Sequence, residues 1–210
     1  AIVTGWSENV TGEQEADITA AIHKAAAVVI GPGLGQEAGA ERLLDLVLQE
    51  AEKLPELPVV IDADGLNLLA KKRLYSTLGR QYVLTPHLRE MSRLSGKSVQ
   101  EIADDMTSAV MGQQAGATIV LKDARTLVSD GDWLYINLSG NSALSTGGSG
   151  DVLSGMIGGL LAQGCTQRTA ATLAVYMHGL TAEQYCESAP PHCMLARDIL
   201  EMIPKIGGNS

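Results

Sequence analysis

Short apolar runs rich in β-branched residues alternate along the chain with longer stretches whose apolar positions recur every three or four residues. Ala25 to Ile30 is the first such run, and it stops at Gly31 to Gly35 (GPGLG), which predicts a strand followed by a loop. Glu37 to Lys53 carries Leu43, Leu44, Val47 and Leu48 at helical spacing, and Pro55 and Pro58 close that helix before the next apolar run. That run, PVVI, predicts a buried strand ending in Asp62 to Asn67 (DADGLN), which leads into a short helix. The cycle repeats with the strand Tyr82 to Thr85, the helical PHLREMSRL, a helix over Ser98 to Gln114 and the strand Thr118 to Leu121. Thr126 to Ser129 and Trp133 to Leu138, on either side of Asp130-Gly131, read as a hairpin. From Asp151 the pattern is helical: Leu153, Met156, Ile157, Leu160 and Leu161 form a stripe, and Gly155, Gly158 and Gly159 allow close packing on a sheet. Two further helices are predicted near Arg168 to Cys186 and Met194 to Ile203.

Strands that alternate with helices and read as continuous apolar runs predict an α/β fold. Its core is a mostly parallel, doubly wound sheet, covered on both faces, with a hairpin near one edge. The 210 residues, 45% of them hydrophobic, suffice for one domain over 1–210, and the residues before Ala25 read only as a polar opening. There is no Phe, and 24 acidic residues against 15 basic ones give a net charge of −9. Aromatic stacking platforms are therefore scarce and the long-range field is repulsive, so neither nucleic acid nor an anionic membrane is an expected partner. No apolar run approaches a membrane span, and Cys165, Cys186 and Cys193 lack CxxC spacing, which suits a soluble protein of the reducing cytoplasm. The chain starts at Ala1 without Met, a basic leader or an apolar signal core, and reads as a processed product or a fragment.

In open parallel sheets ligands bind beyond the carboxyl ends of the strands, where GPGLG, TPH, the lysine of VLKDART and GGSGD all fall. Gly147, Gly148, Ser149 and Gly150 open a helix. Their backbone N–H groups can converge on an anion with help from the helix dipole. Asp151 beside them is placed to take a proton from a hydroxyl while those amides stabilise a transferring phosphoryl group. A glycine turn capped by Asp151 explains the same residues. Lys122, Arg125 and Thr126 are candidates for phosphate or ribose contacts, or belong to a solvated hairpin. Asp62 and Asp64 read as holding magnesium through water, or polar substrate groups, or as turn formers and caps, and Asn137 and Asn141 as amide contacts just before the glycine run or as turn formers. His87 reads as a ligand contact or a structural residue, and His178 as a packed helical histidine with a satisfied hydrogen bond.

Taken in order, VVIGPGLG, PVVIDADGLNLL, YVLTPHLREMSRL, IVLKDART and NLSGNSALSTGGSGDVLSGMIGGLLAQG resemble the ADP-dependent NAD(P)H-hydrate dehydratases, a branch of the ribokinase-like superfamily. The resemblance runs from about Val28 to the C-terminal helices and implies a three-layer αβα fold. It also implies repair of hydrated NADH or NADPH, in which ADP or ATP, with Mg2+, phosphorylates the hydroxyl of the damaged ring. Elimination then restores the cofactor, with AMP and phosphate as by-products. By resemblance Asp151 is the base, and Gly33, His87 and Asp151 contact the hydrated cofactor. Lys122, Asp123, Ala124, Arg125, Thr126 and Gly150 contact the adenine nucleotide, and the enzyme is a homo-oligomer. Two departures stand out: Asp123 occupies a position where the family usually has Gly, and the family's N-terminal strand-helix-strand unit is not found. Two other readings are a ribokinase-like kinase of a small alcohol, such as a vitamin precursor, and a noncatalytic nucleotide-binding module.

Overall fold

The β-branched apolar runs become the centre of a single six-stranded sheet in the computed structural model, which describes residues 12–111 and 116–206. Val28–Ile30 (β1), Val59–Ile61 (β2), Tyr82–Leu84 (β3) and Thr118–Leu121 (β4) pair in parallel. Leu127–Ser129 (β5) and Leu134–Ile136 (β6) add antiparallel to the β4 edge as the expected hairpin. Helices Gly12–Ile22 (α1), Ala38–Lys53 (α2), Ala63–Lys72 (α3), Leu88–Ser95 (α4), Val99–Asp104 (α5) and Met106–Met111 (α6) precede β4. Ser149–Ala162 (α7), Gln167–Cys186 (α8) and Ala196–Met202 (α9) follow the hairpin.

Alternation along each strand divides the core between the two faces. Val59, Ile61, Leu84, Ile119 and Leu121 pack with Leu44, Leu66, Leu69, Met91 and Ile102 from α2 to α5. The intervening Val60, Val83, Val120 and Val128 pack with Leu153, Ile157 and Leu161 of α7 and with Ala170, Ala171 and Ala174 of α8. Burial of each large aliphatic side chain contributes about 1.5–3 kcal/mol. The three layers and the parallel sheet with its edge hairpin agree with the expectation. The strands follow chain order, β1 to β6, so the second helical layer comes from the C-terminal helices and not from a reversal of strand order. Among the described residues no helix is long and apolar enough to cross a membrane.

Three local departures have physical causes. The helix expected over Ser98 to Gln114 is broken at Asp105, whose Oδ1 accepts the Ser108 N–H at 2.9 Å and so acts as a new N-cap; Gln114 lies outside the described residues. The polar opening contains α1, whose Glu15 is gripped twice by Arg42 of α2, at 2.6 and 2.8 Å; residues 1–11 lie outside the description. Of the three glycines expected to bring α7 close to the sheet, only Gly158 does so: a Cβ there would lie 2.4 Å from Val29 Cγ2, whereas Gly155 and Gly159 face open space.

The turn after β1 sits hard against the start of α3. Gly31 has φ +122°, and a Cβ on it would meet the Asp62 carbonyl oxygen at 1.8 Å. Gly31→Ala is therefore expected to lower unfolding free energy by about 2–3 kcal/mol, through clash and backbone strain together. Urea unfolding beside the wild type checks this; an unchanged midpoint would contradict the close approach.

Candidate active site

The carboxyl ends of β2, β3 and β4 and the start of α7 meet around a buried carboxylate. Asp62 follows β2 directly and caps α3, its Oδ1 accepting the Ala63 N–H at 2.8 Å. The same Oδ1 accepts from Lys122 Nζ at 2.8 Å, while Oδ2 accepts from Ser154 Oγ of α7 at 2.6 Å. Ser154 Oγ in turn lies 3.4 Å from Thr85 Oγ1 at the end of β3. The Asp62 side chain is 1% exposed and that of Lys122 21%, so the pair is largely withdrawn from water. Sequence alone assigns neither Ser154 nor Thr85 a role of its own, although Thr85 opens TPH and Ser154 lies in GGSGDVLSG. The available signal was spacing: Ser154 lies one helical turn beyond Gly150 and shares its face.

Lys122 is held at that place by its backbone as well. Its N–H donates to the Pro86 carbonyl at 2.7 Å, and a bridge pairs it with His87, so the ends of β3 and β4 are joined. A Cβ on Gly150 would lie 3.4 Å from Lys122 Nζ and 4.0 Å from Asp62 Oδ2. The first turn of α7 therefore sits within van der Waals reach of the ion pair.

That turn presents free donors. Gly148, with φ +85°, makes the entry to α7, and Ser149 spends its N–H on the Thr146 carbonyl at 3.3 Å and its hydroxyl on Leu144 at 2.7 Å. The N–H groups of Gly150 and Asp151 have no acceptor among the described residues, as first-turn amides commonly do not. Gly147 is open on its Cα side. The Asp151 side chain is exposed and has no hydrogen-bond or ion-pair partner among the described residues. It stands free beside two free amides, as a base for a bound hydroxyl requires.

A cleft of about 580 Å³ adjoins this turn, lined by Lys122, Asp123, Ala124, Thr126, Ser149 and Gly150 among others. It brings together the residues expected at the nucleotide, except that Arg125 is exposed and outside the lining. Asp123 is exposed at the cleft and has no ion-pair partner among the described residues. Its charge would oppose a polyphosphate, so Asp123→Gly is expected to tighten ADP binding about threefold at low salt and less at high salt. Calorimetric titration at two ionic strengths reads this, and a gain independent of salt would argue against a charge effect.

Two histidines and the asparagines do mainly structural work here. His87 caps α4: its Nδ1 accepts the N–H groups of Arg89 and Glu90, both at 3.1 Å, which leaves Nε2 as the protonated nitrogen of the neutral ring. Asn141 caps the 3-10 turn over Ser142–Leu144 through its Oδ1, and Asn137 donates to the Ser139 carbonyl at 2.9 Å. Gly33, φ +64°, lies on the separate loop after β1, which Asp64 ties to α3 by accepting from the Gly35 N–H at 3.0 Å. The oxygens of Asp62 and Asp64 are thus spent on caps and tethers, and no group of three or more His, Cys, Asp or Glu side chains is gathered for a metal among the described residues.

His178 lines the cleft from α8 and, as expected, is packed and hydrogen bonded, its Nε2 donating to the Ser149 carbonyl at 3.0 Å. Burial pulls its pKa down to about 4, against a smaller upward pull from that hydrogen bond. The unfolded chain takes up this proton near pH 6.5 and the folded chain only near 4, so acidification between those values favours unfolding. The contribution lost across that window is about 3 kcal/mol. In His178→Gln the drop in stability between about pH 7 and about pH 4 is expected to shrink by about that amount; an identical acid limb in urea titrations would contradict it.

Comparison with known proteins bears on this geometry. The NAD(P)H-hydrate dehydratase family model matches residues 3–205. An ADP-dependent (S)-NAD(P)H-hydrate dehydratase of Neisseria meningitidis is 41% identical over 195 residues, covering 90% of this chain and 64% of that protein. A crystal structure of an ADP/ATP-dependent NAD(P)H-hydrate dehydratase from Bacillus subtilis, co-crystallised with ATP and Mg2+, superposes with a TM-score of 0.72 at 30% identity. It covers 86% of this chain and 65% of that one. A ribokinase-like superfamily protein from Enterococcus faecalis superposes at 0.81, also at 30% identity, covering 92% of this chain and 66% of that one. This chain spans between 34% and 64% of the length of the first curated relatives it matches.

Proposed function

The chain belongs to the NAD(P)H-hydrate dehydratase family, and we propose that it removes water from hydrated NADH or NADPH with ADP as phosphoryl donor. The observation that carries this reading is the meeting of a nucleotide-sized cleft, the Lys122 ammonium, and two amides and a carboxylate at the start of α7 that have no partner among the described residues. The expected site residues take their roles from that arrangement. The cleft receives the adenine nucleotide along Lys122 to Thr126, with its terminal phosphate at Gly150. Lys122 and the N–H groups of Gly150 and Asp151 neutralise charge on the phosphoryl group in transit. Asp151 accepts the proton of the ring hydroxyl as its oxygen attacks phosphorus and the bond to the AMP oxygen breaks. Loss of phosphate then carries away the hydroxyl oxygen, and the ring double bond re-forms as a neighbouring proton departs. The products are NADH or NADPH, AMP and phosphate. Gly33 and His87, on the loops after β1 and β3, flank the hydrate; with Nδ1 committed to the cap, the His87 Nε2–H, 3.5 Å from Glu90 Oε1, is the donor for which a hydrate oxygen would compete.

Magnesium would enter on the nucleotide's phosphates and keep several waters, as this ion commonly does; among the described residues no group of three or more His, Cys, Asp or Glu side chains is gathered for it. Bound there, it would screen the phosphate charge. Free Cys165, Cys186 and Cys193 support the expected cytoplasmic location, and the homo-oligomeric state stays part of the proposal.

Incubation of hydrated NADH with the chain, ADP and Mg2+ tests the reading. Recovery of NADH that stops when ADP is left out supports it. A stable phosphorylated alcohol as the end product would make the protein a kinase, and nucleotide binding without turnover a binding module.

A further inference from the structure

A lysine that serves a phosphoryl group has a long flexible stem, and its charge helps only where it is held. Three elements hold this one. Lys122 leaves the end of β4 with its backbone fixed to Pro86, and its ammonium donates to Asp62 at the end of β2. The same carboxylate takes the hydroxyl of Ser154, a full turn into α7, so one buried group ties the lysine to the helix whose first turn offers the free amides. We propose that Asp62 is a positioning residue for phosphoryl transfer. It fixes the Lys122 ammonium beneath Gly150 and locks that lysine in register with the anion-binding turn of α7. This assignment rests on the proposed reaction and adds to it a residue that touches neither substrate.

The geometry favours this over a role as a helix cap alone. Capping α3 occupies one lone pair of Oδ1 and needs no charge, because Asn caps as well as Asp. The other interactions, an ammonium at 2.8 Å and a hydroxyl at 2.6 Å, both point across the site toward α7. A neutral cap would also leave the Lys122 charge without its counterion in a place largely shielded from water. Gly150 stands directly over the pair, since a Cβ there would be in van der Waals contact with Lys122 Nζ at 3.4 Å.

Asp62→Asn separates the two roles. Its Oδ1 keeps the Ala63 N–H and still accepts from the Lys122 ammonium, but without a negative charge opposite it. Its Nδ2 replaces Oδ2 and donates to Ser154 Oγ, whose proton turns to Thr85. The cap and the packing therefore persist while the ion pair is lost. Three measurements on the full chain are compared across wild type, Asp62→Asn, Lys122→Met and the double variant: turnover of hydrated NADH, affinity for ADP, and the 15N-resolved ammonium signal of Lys122. In Asp62→Asn we expect turnover to fall about 10- to 100-fold and ADP affinity to change less than about threefold. The Lys122 ammonium signal of the wild type should shift and its protons should exchange faster. In the Lys122→Met background, Asp62→Asn should have no further effect on turnover, and the double variant should melt above Lys122→Met because no buried charge is left unpaired. Equal losses from Asp62→Asn with and without Lys122, or a Lys122 signal unchanged in Asp62→Asn, would overturn the assignment. The ammonium signal and ADP affinity do not depend on turnover. A wild-type chain that shows the ordered ammonium yet restores no NADH would therefore refute the proposed reaction and leave the Asp62 contact standing.

Discussion

Replacing Asp151 by Asn is expected to lower the rate of NADH recovery by about 10²- to 10⁴-fold, the range general-base catalysis supplies. Affinity for ADP should stay within a few fold. The asymmetry follows from where Asp151 stands. Its side chain is exposed and unpartnered among the described residues, so the substitution removes no structural contact and the fold should be unaffected. The amide has nearly the same shape but cannot accept the hydroxyl proton as the oxygen attacks phosphorus. The free N–H groups of Gly150 and Asp151 are backbone groups and survive the change, so phosphate binding should survive with them. Steady-state rates beside calorimetric ADP titrations read both halves. A rate within a few fold of wild type would remove Asp151 from the chemistry; a parallel collapse of ADP affinity would show that it serves binding.

Lys122→Ala is expected to act on both stability and binding. The lysine is the counter-charge of Asp62, whose side chain is 1% exposed, and truncating it strands a carboxylate in the interior. Breaking such a pair from one side costs about 3–5 kcal/mol. The same truncation removes a cation from the nucleotide cleft but not from the loop carrying Gly33, so ADP affinity should fall at least about tenfold while hydrate affinity changes little. Denaturant unfolding and separate titrations of the two ligands check the pair of effects. Equal losses for both ligands would argue against placing the nucleotide along Lys122 to Thr126.

Much of this architecture is legible from local pattern because buried parallel strands must be apolar on both faces. Val59–Ile61 and Tyr82–Leu84 read as strands for that reason, and Leu153, Ile157 and Leu161 as a sheet-facing stripe. Where local pattern fails, a distant or side-chain interaction decides. Helix α1 lacks a strong apolar face and is joined to α2 by the Glu15–Arg42 pair, 27 residues apart in sequence. The break at Asp105 comes from a single side chain competing with the helix for the Ser108 N–H.

At the site, glycines and chain order point to the α7 turn, and the cleft gathers most of the residues expected at the nucleotide. Sequence leaves Asp62 open between a magnesium ligand and a cap. The difference lies in Lys122 and Ser154, 60 and 92 residues away, which only the assembled sheet brings to its two oxygens. His87 is a similar case, since its cap is spelled by Glu90 three residues on, yet the placing of its Nε2, 3.5 Å from Glu90 Oε1, depends on the fold.

The stoichiometry of a single reaction tests the central claim most directly. With hydrated NADH, limiting ADP and Mg2+, AMP and restored NADH are quantified together as the wild-type chain turns over. The proposed chemistry predicts one AMP and one phosphate for each NADH restored, with Asp151→Asn releasing none of the three above background. AMP released without NADH, or a phosphorylated product that persists, would contradict it.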